Sequence, residues 1–157
     1  MTTDTSRLFE DLRPLLVKQG VSLGLLPTEE QALVFALAWS GLPEDNLTEP
    51  DVNQALKRLL QGPLVFLHTD HVELRRWLVD AQWLDRDGYG RQYRRRVAAA
   101  LPGLAAAAAL ELDTLGVQGS AQWVASERAQ HAARRTARRQ AWEAQQNRVE
   151  SPPPPLP

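Results

Sequence analysis

Apolar positions recur first at helical spacing along this chain and then, briefly, in alternation. From Arg7 to Gln19, residues Leu8, Phe9, Leu12, Leu15 and Leu16 follow Ser6, a residue able to cap a first turn. Pro14 lies inside that run, where a ring without an amide hydrogen kinks or splits a helix. Thr28-Glu29-Glu30-Gln31 has the pattern of a capping box, in which threonine and glutamine side chains satisfy free backbone amides reciprocally. The run Ala32 to Trp39 that follows predicts a buried helix ending before Gly41 and Pro43. Thr48-Glu49-Pro50-Asp51 announces the next helix, because proline is tolerated in a first turn whose amides have no intrahelical partner. Its stripe is Val52, Ala55, Leu56 and Leu59, and Gly62-Pro63 ends it. A third start falls at Thr69 or Asp70, with Glu73 at cap spacing, and Leu74, Trp77, Leu78 and Ala81 then make one core-facing stripe.

Alternation takes over in Trp83 to Arg86 and in Arg91 to Arg96, on either side of Asp87-Gly88-Tyr89-Gly90, and predicts a β-hairpin. Three helices followed by a hairpin is the order of a winged helix-turn-helix. Leu104 to Leu112 is alanine-rich and helical by propensity, with Gly116 as a stop and Ser120 as the cap of a final helix reaching about Asn147. The expected fold is mainly α. Residues 1–24 are an N-terminal helical segment, 25–96 the winged-helix domain, 97–148 an alanine- and arginine-rich helical extension, and 149–157 a disordered proline-rich tail.

Thr48 to Leu56, Asp70 to Asp80 with Leu74-Arg75-Arg76 and Leu78-Val79-Asp80, Leu84-Asp85-Arg86, Gly90 and Tyr93 together form one ordered block. Over residues 47–96 it resembles the bacterial domain-of-unknown-function family 2087, a winged-helix-like module found alone or joined to ArsR-type regulators. The resemblance implies the fold and a transcription-related role, and brings no catalytic residue with it. The chain departs from the family in an extended loop, Gln61 to Leu67, and in its added C-terminal region.

Composition narrows the function. At 157 residues the chain fits one domain with an appendage, and without cysteine it has no disulfide, thiolate metal site or cysteine nucleophile. The polar start, Met1 to Ser6, lacks the features of a secretory signal, so a cytoplasmic location is expected. The most apolar stretch, Val97 to Leu110, is interrupted by Pro102-Gly103 and is too short to span a bilayer, so no membrane association is expected. The net charge of −1 argues against indiscriminate coating of nucleic acid. Its distribution says more: residues 1–69 hold five basic and nine acidic side chains, residues 70–96 seven basic and five acidic.

If Leu74, Trp77 and Leu78 point inward, Val72, Arg75, Arg76 and Val79 lie on the outer side of the third helix. There an arginine can bond a guanine edge or a phosphate, and a valine can meet a thymine methyl. The plainer alternative is that Arg76 pairs with Asp80, and Arg75 with another nearby acid. Arg91, Arg94, Arg95 and Arg96 make the hairpin basic; in a strand Arg94 and Arg96 share one face and Arg95 takes the other. They are candidates for phosphate contact, or equally a charged edge that blocks strand pairing. On the last helix Arg128, Arg135, Arg138 and Arg139 gather with His131 and Trp142, opposite Ala125, Ala129, Ala132 and Ala133. Those arginines are candidates for additional phosphate contacts. An alanine face buries little area, so this helix needs a partner surface, in its own domain or in a homodimer.

His68 and His71 beside Asp70 are a weak metal signal, and neither a phosphate loop nor a nucleophile elbow occurs, so no metal, cofactor or enzymatic activity is expected. The leading expectation is a double-stranded DNA-binding regulator or DNA-maintenance factor, third helix in the major groove and wing on the phosphates. The alternative is a non-enzymatic interaction module that forms a homodimer or docks on an acidic protein partner.

Overall fold

The computed structural model describes residues 5–89, 91–103, 105–150 and 156. In chain order it contains α1 (Thr5–Leu16), α2 (Thr28–Ser40), β1 (Leu47–Thr48), α3 (Glu49–Gln61), α4 (His71–Asp80), β2 (Leu84–Arg86), β3 (Gln92–Arg95) and α5 (Ala105–Glu150). The side chains of Leu8 and Phe9, the turn residue Gly90, Leu104 and the tail at 151–155 and 157 lie outside the described residues.

α2 is the centre of the molecule. Every residue from Leu33 to Ser40 is buried, as an apolar surface running all round a helix requires. α1 and α5 pack against it, and α3 packs on α4. Leu12, Leu15 and Leu16 of α1 and Ala108, Ala109, Leu112 and Val124 of α5 belong to the same core as Leu37, Leu56, Leu74 and Trp83. The N-terminal segment and the start of the extension are therefore layers of one unit with the winged-helix region.

The strands form an antiparallel sheet in the order β1-β3-β2, with Leu47 opposite Tyr93, Leu84 opposite Arg95 and Asp85 opposite Arg94. With α2-β1-α3-α4-β2-β3 in sequence, the arrangement is winged-helix-like. The hairpin forms where the alternation places it, while β1 adds a third strand that two residues could not announce.

Local signals decide the helix ends, with some exceptions. Thr48 caps α3 through Asp51 N (3.3 Å), and Asp70 caps α4 through Glu73 N (2.8 Å). α2 does not use its capping box. Pro27 is the cap residue, and Gln31 Nε2 donates instead to Leu23 O at 2.8 Å, in the short 3-10 turn before the helix. α1 runs through Pro14, which falls in its last turn and interrupts little, and Ser6 lies inside the helix, not before it. α4 closes with Trp83 N on Leu78 O (2.9 Å) and Gln82 N on Val79 O (3.1 Å), a Schellman-type stop whose left-handed residue is Gln82 (φ 67°).

The loop after α3 is a core element. Leu64, Phe66 and Leu67 are buried, and Val21 brackets the segment by donating to Phe66 O (2.9 Å) and accepting from His68 N (2.8 Å).

α5 is broken at Gly116 (φ 71°, ψ 173°), where the first helix stops as expected. The second begins at once, so Ser120 does not cap it. Ser120 is buried within the helix, and its Oγ has no hydrogen-bond partner among the described residues. The packed face of α5 is Ala105, Ala108, Ala109, Leu112, Ser120 and Val124. Ala125 is exposed instead, and so are Ala129, Ala132 and Ala133, which lie beyond Arg128, where the helix leaves the body.

Candidate nucleic-acid interface

α4 buries Leu74 and Leu78 and lays the half-buried Trp77 against Phe35, with ring centroids 6.2 Å apart. Its outer surface carries Val72 and Arg76, both exposed, together with the acids Glu73 and Asp80; Val79 is half-buried. Arg76 forms no ion pair with Asp80 among the described residues.

Arg75 is not on that outer surface. Its side chain is 17% exposed, donates through Nη1 to Asn53 Oδ1 (2.6 Å) and Glu49 Oε1 (3.3 Å), and lies over the Tyr93 ring at 5.3 Å. One arginine thus ties α4 to α3 and β3. Helical periodicity places it outward, but α3 crosses close enough for Glu49 and Asn53, one turn apart, to capture the guanidinium.

The wing divides by strand parity. Tyr93 and Arg95 face the core, Gln92 and Arg94 face solvent, and Arg86 on β2 and Arg91 before β3 are exposed as well. Arg95 is 7% exposed and corrects the expectation that it is a phosphate contact. It donates to Asp113 Oδ1 (2.9 Å), Glu44 Oε1 (2.7 Å) and the carbonyls of Trp39 (3.3 Å) and Leu42 (3.2 Å), with its guanidinium 4.1 Å from the Trp39 ring centroid. Arg96 is half-buried and reaches Gln82 Oε1 at 3.3 Å. Asp85 sits opposite Arg94 on the outer face, so the wing's field is positive but diluted.

Arg128 leaves the candidate set for a similar reason. Its Nη1 donates to Leu16 O and Lys18 O, both at 2.7 Å, and so completes the carboxyl end of α1. Beside it Glu127 pairs with Arg13 at 3.3 Å. Arg135, Arg138 and Arg139 are exposed, and so is Arg134, a further candidate that stands four residues before Arg138 and could have been found by that spacing. Arg86 is a further candidate too, and a lone arginine at the end of a short strand carries no spacing signal.

Among the described residues no group of three His, Cys, Asp or Glu side chains is placed to hold a metal ion. No described helix is long and apolar enough to cross a membrane.

Residues 27–95 match a protein-family model described as an uncharacterized protein conserved in bacteria, DUF2087. The match covers this segment alone, less than half of the chain. The DUF2087 segment starts at Pro27, which caps α2, and stops at Arg95, the last residue of β3. It therefore takes in α2, which lies outside the 47–96 block of the sequence resemblance, and matches the winged-helix-like unit element for element. α1 and α5 pack on the DUF2087 segment from outside the match. No curated protein and no solved structure matches the chain.

Proposed function

We propose that the protein binds double-stranded DNA through its winged-helix-like unit, as a cytoplasmic transcriptional regulator or DNA-maintenance factor. The observation that carries this reading is the wing. Arg86, Arg91 and Arg94 are exposed on the hairpin that follows α4, Arg86 across from Tyr93 and Arg94 across from Asp85, and their side chains have no ion-pair partner among the described residues. On this reading they contact phosphates, and Val72 and Arg76 of α4 are the side chains that reach base edges. Glu73 and Asp80 repel phosphate on the same helix, so affinity rests on the wing and base discrimination is modest.

The test is fluorescence anisotropy with a random duplex of about 30 base pairs across a salt series. Each phosphate contact contributes about 0.9 to the slope of log affinity against log salt, so replacing Arg86, Arg91 and Arg94 with glutamine makes the slope shallower by about 2 to 3. A triple variant with the slope of the wild type refutes the wing assignment.

The capture of Arg75 by Glu49 and Asn53 favours a second reading, an interaction module without direct DNA contact. A protein that ignores DNA at low salt and has a homodimer's mass by light scattering supports that reading instead.

A further inference from the structure

From Ala132 to Val149 every side chain of α5 is exposed. At about 1.5 Å per residue this is a free helix roughly 27 Å long, held at its base by Arg128 on the end of α1 and by the Arg13–Glu127 pair. Arg134, Arg135, Arg138 and Arg139 project from it, and none makes a hydrogen bond or ion pair among the described residues. At about 100° per residue the four cover an arc of roughly 140°, with His131 and Trp142 inside it. No acidic residue falls between Arg128 and Trp142.

We infer that this free helix is a second double-stranded DNA-binding element, acting beside the wing. The choice of DNA as partner rests on the reading above; the choice of a polyanion rests on the helix itself. A protein groove that takes up a helix needs large apolar anchors at i, i+3, i+4 and i+7. Here the side away from the arginines offers Ala129, Ala133, Ala137 and Ala144, which bury too little to hold a partner. The arginine side offers planar donors over successive turns, suited to a row of phosphates. A helix with its side chains is about 10–12 Å across, and the major groove is about 12 Å wide, so the arc of arginines can meet groove walls without distortion. Trp142 is 61% exposed, whereas Trp39 and Trp83 are buried, so an indole on the binding face reports binding directly.

The experiment compares the full-length protein with the Arg134→Gln/Arg135→Gln/Arg138→Gln/Arg139→Gln variant on the same duplex. Without these four guanidinium groups on phosphates, the salt slope falls by about 3 to 4 and affinity at about 0.1 M salt drops at least about a hundredfold. Melting temperature stays unchanged, since the four side chains hold no other element, and DNA quenches Trp142 emission in the wild type but not in Trp142→Phe. The matching four-lysine variant keeps the slope. A glutamine variant with the affinity and slope of the wild type overturns the inference, and if the wing variant still weakens binding, the DNA reading survives alone. If the glutamine variant loses binding while the wing variant does not, the free helix stands and the wing assignment falls. Competition by polyglutamate of equal charge as strong as by duplex overturns it in favour of an acidic protein partner. A wild type that binds no DNA at low salt overturns both.

Discussion

Replacing Arg95 with methionine removes the cation that joins the wing to α2 and α5, and its cost can be worked from the groups it touches. The guanidinium is 7% exposed, so its donors have little access to water, and the acceptors they leave behind differ in theirs. The Leu42 carbonyl lies at a buried site and loses about 1 kcal/mol when its donor is removed, whereas the Trp39 carbonyl keeps Leu42 N at 3.1 Å and loses less, about 0.5 kcal/mol. The Asp113 carboxylate is 32% exposed and recovers part of its solvation, which leaves about 1 kcal/mol for a two-pronged bond at 2.9 and 3.3 Å. Glu44 is 79% exposed and contributes close to nothing. Methionine keeps most of the packing against the Trp39 ring. The expected loss is about 2.5 kcal/mol, and it lowers the melting temperature by about 5–10 °C at this chain length. Urea unfolding followed by circular dichroism, and by the emission of buried Trp39 and Trp83, measures it. Asp113→Asn should cost about 1 kcal/mol and Glu44→Gln less than about 0.5 kcal/mol. An Arg95→Met protein within about 0.5 kcal/mol of wild type refutes the reasoning, as does Glu44→Gln costing as much as Asp113→Asn.

Other substitutions probe separate joints. Arg75→Ala should cost about 1 kcal/mol in urea unfolding and leave the DNA salt slope unchanged, because Glu49, Asn53 and Tyr93 already hold that side chain. Gln82→Gly should stabilise by about 1 kcal/mol, since the left-handed exit from α4 penalises any residue with a Cβ, and a thermal melt shows the sign. At Gly116 an added methyl meets no atom, but φ 71° with ψ 173° is glycine territory, so Gly116→Ala should cost about 1–3 kcal/mol by chemical denaturation. Arg128→Ala should speed amide exchange in α1 selectively, by uncapping the Leu16 and Lys18 carbonyls.

Where an element announces itself in its own residues, it is legible in the sequence. The cap at Thr48, the cap at Asp70, the stop at Gly62-Pro63 and the hairpin after Trp83 depend on neighbours within a few positions, and they form in place. Elements that exist only because something distant completes them are not legible. β1 is two residues long and is a strand only because Tyr93 and Gln92 lie beside it. The Gln61 to Leu67 loop, which reads as a departure from the family pattern, is fastened by Val21 and fills the core with Phe66. Gln31 makes no local cap because α2 starts one residue early, on Pro27, which has no N–H to offer, and its amide donates instead to Leu23 O, eight residues back.

The arginines show the same division within one side-chain chemistry. Counting charges along the chain makes 91–96 and 128–142 two basic stretches without an acid, yet what each arginine can do is decided by acceptors far away in sequence. Arg95 finds Asp113 and Glu44, 18 and 51 residues off; Arg75 finds Glu49 at 26; Arg128 finds the end of α1 at 112. Each of these is consumed in holding elements together, and a consumed guanidinium would have to break short bonds before it met a phosphate. Arg76, Arg86, Arg91 and Arg94 on the unit, and Arg134, Arg135, Arg138 and Arg139 on the free helix, have no such acceptor among the described residues. Arg95 and Arg128 hold the hairpin and the base of α5 on the same core, so the exposed sets stand on connected, packed elements. If the protein binds DNA as proposed, loosening Arg95 weakens that binding by disturbing both sets, although Arg95 itself is buried.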